Sequence, residues 1–284
     1  MKTILVPVDF SPSSNNALRY AIHLSDLTHC RLIVYHAAFF PRFPAILPEK
    51  EYQKLLRKDE RRKLEKLQKM VVLYCDKINK NIPEDRIKYI VENRSMVVQD
   101  IVDAAKTHKA DLIVMGTHIA KGIRKVLLGS ITVETIFNTS VPVLAIPPRF
   151  KFRKINTLLY ASDFKQLHSE LKIVLPIAKA LDTEIKVLYL DYAIDKDLEI
   201  EKMFKKVVGR ITFNKLYLVQ KKVWIGESIP DFLRKFSVGN KDAVCIMFPE
   251  EKSWLDKLFM ASKTEDLAYD LKIPLIAIRK ELVT

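Results

Sequence analysis

The sequence has few glycines, few cysteines and no long hydrophobic run. Only 6 of its 284 residues are glycine and only 3 are cysteine. The cysteines are widely spaced and form no CxxC pair, which disfavours a zinc site, a redox pair or a disulfide framework. Apolar runs such as 112–115 are far shorter than the ~20 residues that a membrane helix needs. The opening MKTILVPVDF has no apolar stretch of signal-peptide length, so we expect a soluble cytoplasmic protein without a membrane partner.

The motifs of common enzyme classes are missing as well. The chain contains no GxxxxGK[ST], GxGxxG, GxSxG or HExxH pattern. Its 6 histidines are scattered, and neither His36 nor His118 has an acid or nucleophile that spacing would identify as its partner. We therefore expect that the protein is not an enzyme and that these histidines are loop or cleft-wall residues.

Basic residues outnumber acidic ones by 48 to 34, which gives a formal net charge of +14. Such a surplus favours anionic partners. Much of it lies in 54–69, KLLRKDERRKLEKLQK, where charges alternate with leucines at helical spacing. This pattern is typical of a solvated helix face. Because no RNA- or DNA-reading motif accompanies the charge, nucleic acid is the least favoured partner.

Short β-branched runs alternate with longer segments of helical periodicity. This alternation is typical of βαβ units around a buried parallel sheet. The first helix is predicted to begin with Ser11 as its N-cap and Pro12 at its first position, which places Asp9 at the carboxyl end of the first strand. The strands predicted in the first half are 3–8, 32–37, 87–91, 112–115 and 142–146.

The second half of the chain repeats the first. The opening TILVPVDF aligns with the later TLLYASDF, so that Asp9 falls on Asp163, and Pro142 falls on Pro274. The connection between the second and third strands is shorter in the second copy. We infer a tandem duplication whose boundary is the charged, proline-containing PPRFKFRK. The predicted domains are 1–148 and 154–284.

The segment after the predicted fourth strand carries three of the 6 glycines, Gly116, Gly122 and Gly129. Ser130 and Thr132 follow at the start of a predicted helix, where free backbone N–H groups and the helix dipole favour phosphate. In an open parallel sheet, ligands bind outside the carboxyl ends of the strands. These residues therefore predict a phosphate-binding loop.

Together these features resemble the universal stress protein family. Its ATP-binding members carry GxxGxxxxxxxxxG followed by Ser or Thr after strand four, with VPVD-like residues at the start. Here Gly116, Gly129 and Ser130 match, as do ILVPVDF and SVPVLAIPP, while the second glycine of the pattern falls on Ile119. The resemblance extends over both halves of the chain.

The resemblance implies an α/β fold of two tandem doubly wound domains. Each would have a five-stranded, mainly parallel sheet in the order 3-2-1-4-5, flanked by helices. Such domains pair through their fifth strands, so the two copies should form an internal pseudo-dimer, and two chains could associate further into a homodimer.

The resemblance also implies a site for ATP or a related nucleotide in the first domain. Asp9 would accept a hydrogen bond from the ribose or adenine, and the backbone around Ala37 would contact the adenine edge. For Asp9 and Thr132, helix capping is an equal alternative. At Ile119 a β-branched residue replaces the glycine that would bring the backbone close to phosphate. The remaining residues assigned to the nucleotide are Met115, Gly116, Gly129, Ser130, Ile131 and Thr132.

The second copy lacks these glycines. Ala261 stands where the first copy has Gly129, and Glu250 and Glu251 occupy the loop, where they would repel phosphate. We therefore expect a structural half without a ligand, in which Asp163 is a turn or helix-start residue.

The predicted function is that of a universal stress response protein that binds ATP or a related nucleotide in its first domain. It would act through conformation and through protein partners that the sequence does not identify. Two alternatives stay open: a scaffold that binds no nucleotide, and a weak ATPase assisted by a metal held at Asp9.

Overall fold

The computed structural model describes residues 1–39, 48–93, 96–119, 126–127, 129–191, 197–222, 229–253 and 272–282. The chain divides into two compact units, Met1–Gly116 and Thr117–Thr284. The division after Gly116 falls inside the first sequence repeat. The boundary between the two units is therefore not the boundary between the two repeats. The domain bounds 1–148 and 154–284 stay a prediction about the repeats.

The first unit contains a parallel sheet with the strand order β4-β1-β2-β3. Its strands are β1 (Thr3–Pro7), β2 (Arg31–Ala38), β3 (Ile87–Asn93) and β4 (Leu112–Gly116). Its helices are α1 (Pro12–Thr28), α2 (Glu49–Lys77) and α3 (Val97–Thr107). The strand centres are apolar on both faces, as expected for parallel strands covered by helices, and Ile4, Leu5 and Val6 of β1 are fully buried.

Helix α1 begins as its sequence predicts. The Ser11 side chain accepts a hydrogen bond from the backbone N–H of Ser14 at 3.2 Å, and Pro12 occupies the first helical turn. The predicted N-cap is confirmed. This cap sets the direction in which the chain leaves β1, and it therefore positions the residues at the end of that strand.

Helix α2 is long and mostly exposed. It has 29 residues, and within it only Tyr52, Leu67 and Val71 are buried. The corresponding connection in the second repeat carries α6, which has 12 residues, in agreement with the predicted shortening.

The second unit contains a sheet with the order β10-β9-β8-β11-β12-β7, together with the short antiparallel pair β5-β6. Its strands are β5 (His118–Ile119), β6 (Val126–Leu127), β7 (Val143–Ile146), β8 (Thr157–Ala161), β9 (Glu184–Asp191), β10 (Leu216–Lys222), β11 (Ala243–Met247) and β12 (Leu275–Ala277). Its helices are α4 (Ser130–Asn138), α5 (Leu167–Leu181), α6 (Asp197–Val208) and α7 (Ile229–Gly239), and a 3-10 turn covers Lys280–Leu282.

Strands β7 and β12 are the last strands of the two sequence repeats, and they pair antiparallel with Leu144 opposite Ile276. The other neighbours in the large sheet of this unit are parallel. The predicted α/β class, with mainly parallel strands flanked by helices, is confirmed. Among the described helices, none is both long enough and apolar enough to cross a membrane.

Candidate functional site

Asp9 follows β1 and is tied to the first turn of α1. Its carboxylate Oδ1 accepts a hydrogen bond from the backbone N–H of Ser11 at 2.9 Å, and its own N–H donates to Ser14 Oγ at 3.3 Å. Burial alone would raise the pKa of Asp9, but the hydrogen bonds from Ser11 and Ser14 outweigh it, and the pKa lies below its ordinary value. The N-cap of α1 is Ser11 and not Asp9, so Asp9 holds the cap residue in place from the preceding turn. Its role toward a nucleotide stays a prediction.

The end of β4 lies against the same turn of α1. A Cβ atom at Gly116 would be 2.2 Å from the carbonyl oxygen of Ser13, far inside van der Waals contact. Glycine is therefore required here by the close approach of two backbone segments. The preceding Met115 is buried, with 6% of its surface exposed. Gly116 thus has a packing role whether or not it contacts a ligand.

Four of the predicted site residues meet at one edge of the first unit. Asp9, Ala37 and the pair Met115 and Gly116 lie at the carboxyl ends of β1, β2 and β4, which are neighbours in the sheet. Parallel strands place these ends on the same side. The structure therefore brings these four residues to the edge at which such folds bind ligands.

The other four predicted residues belong to the second unit, at the start of α4. Gly129 is the N-cap, with φ −57° and ψ 146°, a conformation that any residue can adopt. Ser130 and Ile131 are exposed in the first turn, whereas Thr132 is buried with 3% exposed. A glycine N-cap has no side chain to bond the first amide groups of the helix, which is the arrangement that anions favour.

Ile119 does not adopt the glycine-like backbone that the sequence pattern suggested. It lies in β5 and pairs with Val126 of β6, in extended conformation. Extended backbone suits a β-branched residue, so Ile119 is accommodated here without a glycine-like conformation. Gly122 lies outside the described residues.

A pocket of about 550 Å³ opens in the first unit at the ends of β1 and β2. His36 forms part of its wall, as the sequence suggested for this histidine. Its Nδ1 lies 2.6 Å from the carbonyl oxygen of Val8, so Nδ1 carries the proton and donates. Burial lowers the pKa of His36, and the charges of Lys63 and Lys66 lower it further. The hydrogen bond to Val8 opposes this shift only in part. The net pKa is below its ordinary value, so the ring is neutral at pH 7. The lining residues are Phe10, His36, Ala37, Phe39, Arg62, Lys63 and Lys66.

Three cations of α2 face this pocket. Lys66 Nζ lies 3.9 Å from the centre of the Phe10 ring, a cation–π contact, and the same ring is 4.7 Å from that of His36. Arg62 and Lys63 both pair with Asp59, at 2.8 Å and 2.6 Å. The sequence interpretation treated this stretch as a solvated helix face and missed these residues. Their spacing, which places 59, 62, 63 and 66 on one side of a helix, was the available signal.

Beside Asp163, which aligns with Asp9, the second repeat has a cation of the chain itself. In a pocket of about 240 Å³, the Lys280 ammonium pairs with the carboxylate of Asp163 and lies 2.9 Å from Glu250 Oε1. Lys280 is buried, with 7% exposed. Burial lowers its pKa, but the bonds to Asp163 and Glu250 outweigh this effect and raise it. Lys280 was not anticipated from the sequence.

Asp163 has the turn role predicted for it, because its Oδ1 accepts from the backbone N–H of Lys165 at 3.0 Å. Burial raises its pKa, yet the hydrogen bond from Lys280 outweighs burial and the net shift is downward. Glu250 lies in the loop as the sequence predicted. Ala261 lies outside the described residues.

Beneath this pocket, Glu170 is buried with 2% exposed, and its carboxylate is hydrogen bonded to the hydroxyl of Tyr160. Tyr160 also lies 3.0 Å from Ser162 Oγ. Burial raises the pKa of Glu170, and the opposing hydrogen bond from Tyr160 and the charge of Lys280 only partly offset it. Burial likewise raises the pKa of Tyr160.

The first half of the chain matches a known protein family. The model of the universal stress protein family, Usp, matches residues 1–147. The chain belongs to the universal stress protein family. It is 30% identical over 148 residues to a universal stress protein of Methanocaldococcus jannaschii, an alignment that covers 51% of this chain and 81% of that protein.

Solved universal stress protein structures share the fold over the full length of the chain. A universal stress protein from Archaeoglobus fulgidus superposes with a TM-score of 0.68 at 16% identity, and 98% of each chain is covered. A putative universal stress protein from Pseudomonas aeruginosa superposes with a TM-score of 0.55 at 12% identity, over 100% of this chain and 95% of that one. At these identities the likeness establishes the fold alone.

The buried carboxyl of this universal stress protein gives a pH-dependent prediction. The folded-state pKa of Glu170 lies above its unfolded value, so folding favours the protonated form. The folded state loses stability as the pH rises from the unfolded-state pKa of Glu170 to its folded-state pKa. Above the folded-state pKa the loss of stability is complete. Glu170→Gln removes this titration, so the variant should gain stability relative to the wild type as the pH rises.

Urea unfolding at pH 5 and pH 8 measures this change. Glu199→Gln on α6 is the matched control, because Glu199 is exposed. A stability difference between Glu170→Gln and the wild type that is the same at both pH values would contradict the prediction.

Proposed function

We propose that this universal stress protein binds ATP or a related nucleotide through its first repeat and acts through conformation and protein partners, without turnover. The observation that carries the proposal is the meeting of Asp9, Ala37, Met115 and Gly116 at the carboxyl edge of three neighbouring strands. A pocket opens at that edge beside Ala37. This is the place where open parallel sheets bind their ligands.

The electrostatics of the pocket agree with an anionic, partly aromatic ligand. Three of its lining side chains are basic, and two are phenylalanines. Nucleotides combine phosphates with a flat aromatic base, which such walls accommodate. The sequence also assigned Gly129, Ser130, Ile131 and Thr132 to phosphate, and the first turn of α4, in the second unit, offers amide donors to an anion.

The second repeat is proposed to be structural. Lys280 occupies the position beside Asp163, and Glu250 adds a negative charge where a phosphate would have to lie. The antiparallel pairing of β7 with β12 supports the further proposal that the two repeats associate as an internal pseudo-dimer.

Calorimetric titration of the full chain with ATP, ADP and AMP tests the proposal. We expect Asp9→Asn to weaken binding by about tenfold, the equivalent of about 1.4 kcal/mol. Asparagine keeps Oδ1, so the hydrogen bond from Ser11 that orders the turn is retained. The matched control is Asp163→Asn in the second repeat, which should leave nucleotide affinity unchanged.

Two results would contradict the proposal. If the wild-type protein binds none of the three nucleotides, the scaffold alternative replaces it. If Asp9→Asn and Asp163→Asn weaken binding equally, the asymmetry between the repeats is wrong.

A further inference from the structure

The pocket at the ends of β1 and β2 contains more positive charge than the fold requires. Arg62, Lys63 and Lys66 line it, and the carboxylate that pairs with two of them is Asp59. Among the described residues, Asp9 at the end of β1 is an acidic group that acts on His36. Neighbouring like charges on one helix face destabilise it unless a counter-charge is present. The cluster therefore has a surplus that an anionic ligand would neutralise.

Part of this cluster is shielded from solvent. The side chain of Lys63 is only 19% exposed and that of Asp59 only 11%, whereas Arg61 and Arg62 on the same helix are 82% and 79% exposed. Lys63 is the shielded cation of the cluster, and Arg62 and Lys66 are exposed to solvent. Because a shielded charge interacts more strongly with a ligand than an exposed one, Lys63 is placed to bind an anion firmly.

Aromatic side chains lie beside the cations. Lys66 is held over one face of Phe10, which fixes the position of its ammonium group. Phe39 lines the same pocket and is 68% exposed. A base could pack against this ring while its phosphates reach the cations of α2, a combination that proteins use to bind nucleotide groups.

We propose that Arg62, Lys63 and Lys66 form a polyphosphate-binding site, which makes nucleoside diphosphates and triphosphates the ligand class of the first repeat. The inference rests on the proposed nucleotide function and adds to it the side chains that hold the phosphates. Three cations suit a chain of phosphates with several negative charges, whereas a cyclic mononucleotide carries a single charge and needs no such cluster.

The experiment compares two triple variants of the full chain by calorimetry at physiological salt. The pocket variant is Arg62→Gln with Lys63→Gln and Lys66→Gln. The control variant is Lys54→Gln with Arg57→Gln and Lys69→Gln, which removes the same charges from the same helix at exposed positions outside the pocket. The probes are ATP, cyclic AMP and inorganic tripolyphosphate.

We expect the pocket variant to lose at least about tenfold in affinity for ATP and for tripolyphosphate, with cyclic AMP changed by less than about twofold. The control variant should change by less than about twofold for every probe. Lys63→Gln removes an ion pair of Asp59 and could therefore disturb the helix. A second comparison, of the single variants Lys66→Gln and Lys69→Gln, avoids this effect. Lys66→Gln keeps both ion pairs of Asp59, and it should weaken ATP binding several-fold, unlike Lys69→Gln.

The outcomes separate the two proposals. If ATP binds and neither pocket variant weakens it more than its control, the polyphosphate site is wrong while the nucleotide function stands. If tripolyphosphate binds through the cluster but ATP does not, the nucleotide function and the nucleoside ligand class are wrong, and the cluster is a site for inorganic polyphosphate. If the wild type binds neither probe, both are wrong.

Discussion

Replacing Gly116 with alanine should lower the free energy of unfolding by about 3 kcal/mol, the upper part of the range for overpacked sites. The added Cβ would lie 2.2 Å from the carbonyl oxygen and 2.5 Å from the carbonyl carbon of Ser13. These are backbone atoms of the capped first turn of α1, so they cannot turn aside as a flexible side chain would. Either β4 or the start of α1 has to move.

Urea unfolding followed by circular dichroism measures the loss, and Gly239→Ala is the matched control. Gly239 ends α7, and a Cβ there would meet nothing within 4 Å. The control should change stability by less than about 0.5 kcal/mol. Similar small losses from both variants would contradict the packing role of Gly116.

Gly116→Ala also bears on how the nucleotide proposal is tested. The glycine belongs to the sequence motif assigned to ATP, and losing it would weaken binding through damage to the fold. Asp9→Asn is the sharper probe, because asparagine retains the local hydrogen bond.

Replacing Lys280 with methionine should lower the free energy of unfolding by about 1.5 kcal/mol at neutral pH, since it removes a buried cation that bonds two carboxylates, and solvent screens these carboxylates in part. The Lys280 side chain is 9% exposed, and it pairs with Asp163 and Glu250 at once. Methionine preserves much of the apolar stem and removes the charge. The loss therefore reports the ionic network more than the packing.

This loss should shrink in acid. Burial raises the folded-state pKa of Asp163, but the hydrogen bond from Lys280 outweighs burial, and this pKa lies below its ordinary value. A depressed carboxyl pKa contributes stability above the unfolded pKa, and that contribution disappears as the pH falls through the folded pKa. Unfolding midpoints of Lys280→Met and the wild type should consequently converge toward low pH.

Lys252→Met is the control for this variant. Lys252 pairs with Glu134 at 2.5 Å, but both side chains are more than 40% exposed, at 48% and 43%. An exposed pair contributes about 0–1 kcal/mol, so this substitution should cost less. Equal losses from Lys280→Met and Lys252→Met would show that the network in the second repeat has no special stabilising role.

The sequence predicted those features that depend on neighbouring residues. Ser11 and Pro12 mark the start of α1 because capping acts within one turn. The strands are recognisable because residues buried on both faces form short apolar runs. The alignment of Asp9 with Asp163 corresponds to a shared local geometry, since in both the carboxylate accepts from the N–H two residues later.

The site itself depended on contacts that no local pattern contains. Ile119 was judged by a glycine motif, whereas its conformation is set by pairing with Val126 across a strand pair. The cations of α2 were interpreted as a solvated face, because periodicity indicates which residues share a side but not what that side packs against.

By itself the sequence determined the α/β class, the helix start at Ser11 and the family, because these follow from periodicity, capping and motif spacing. Only the tertiary structure decided the meaning of single residues. Gly116 must be glycine because the backbone of Ser13 lies against it, and Asp163 is neutralised by Lys280 from 117 residues away. Such contacts arise when distant segments pack together, and their energies depend on distances and burial that chain order does not contain.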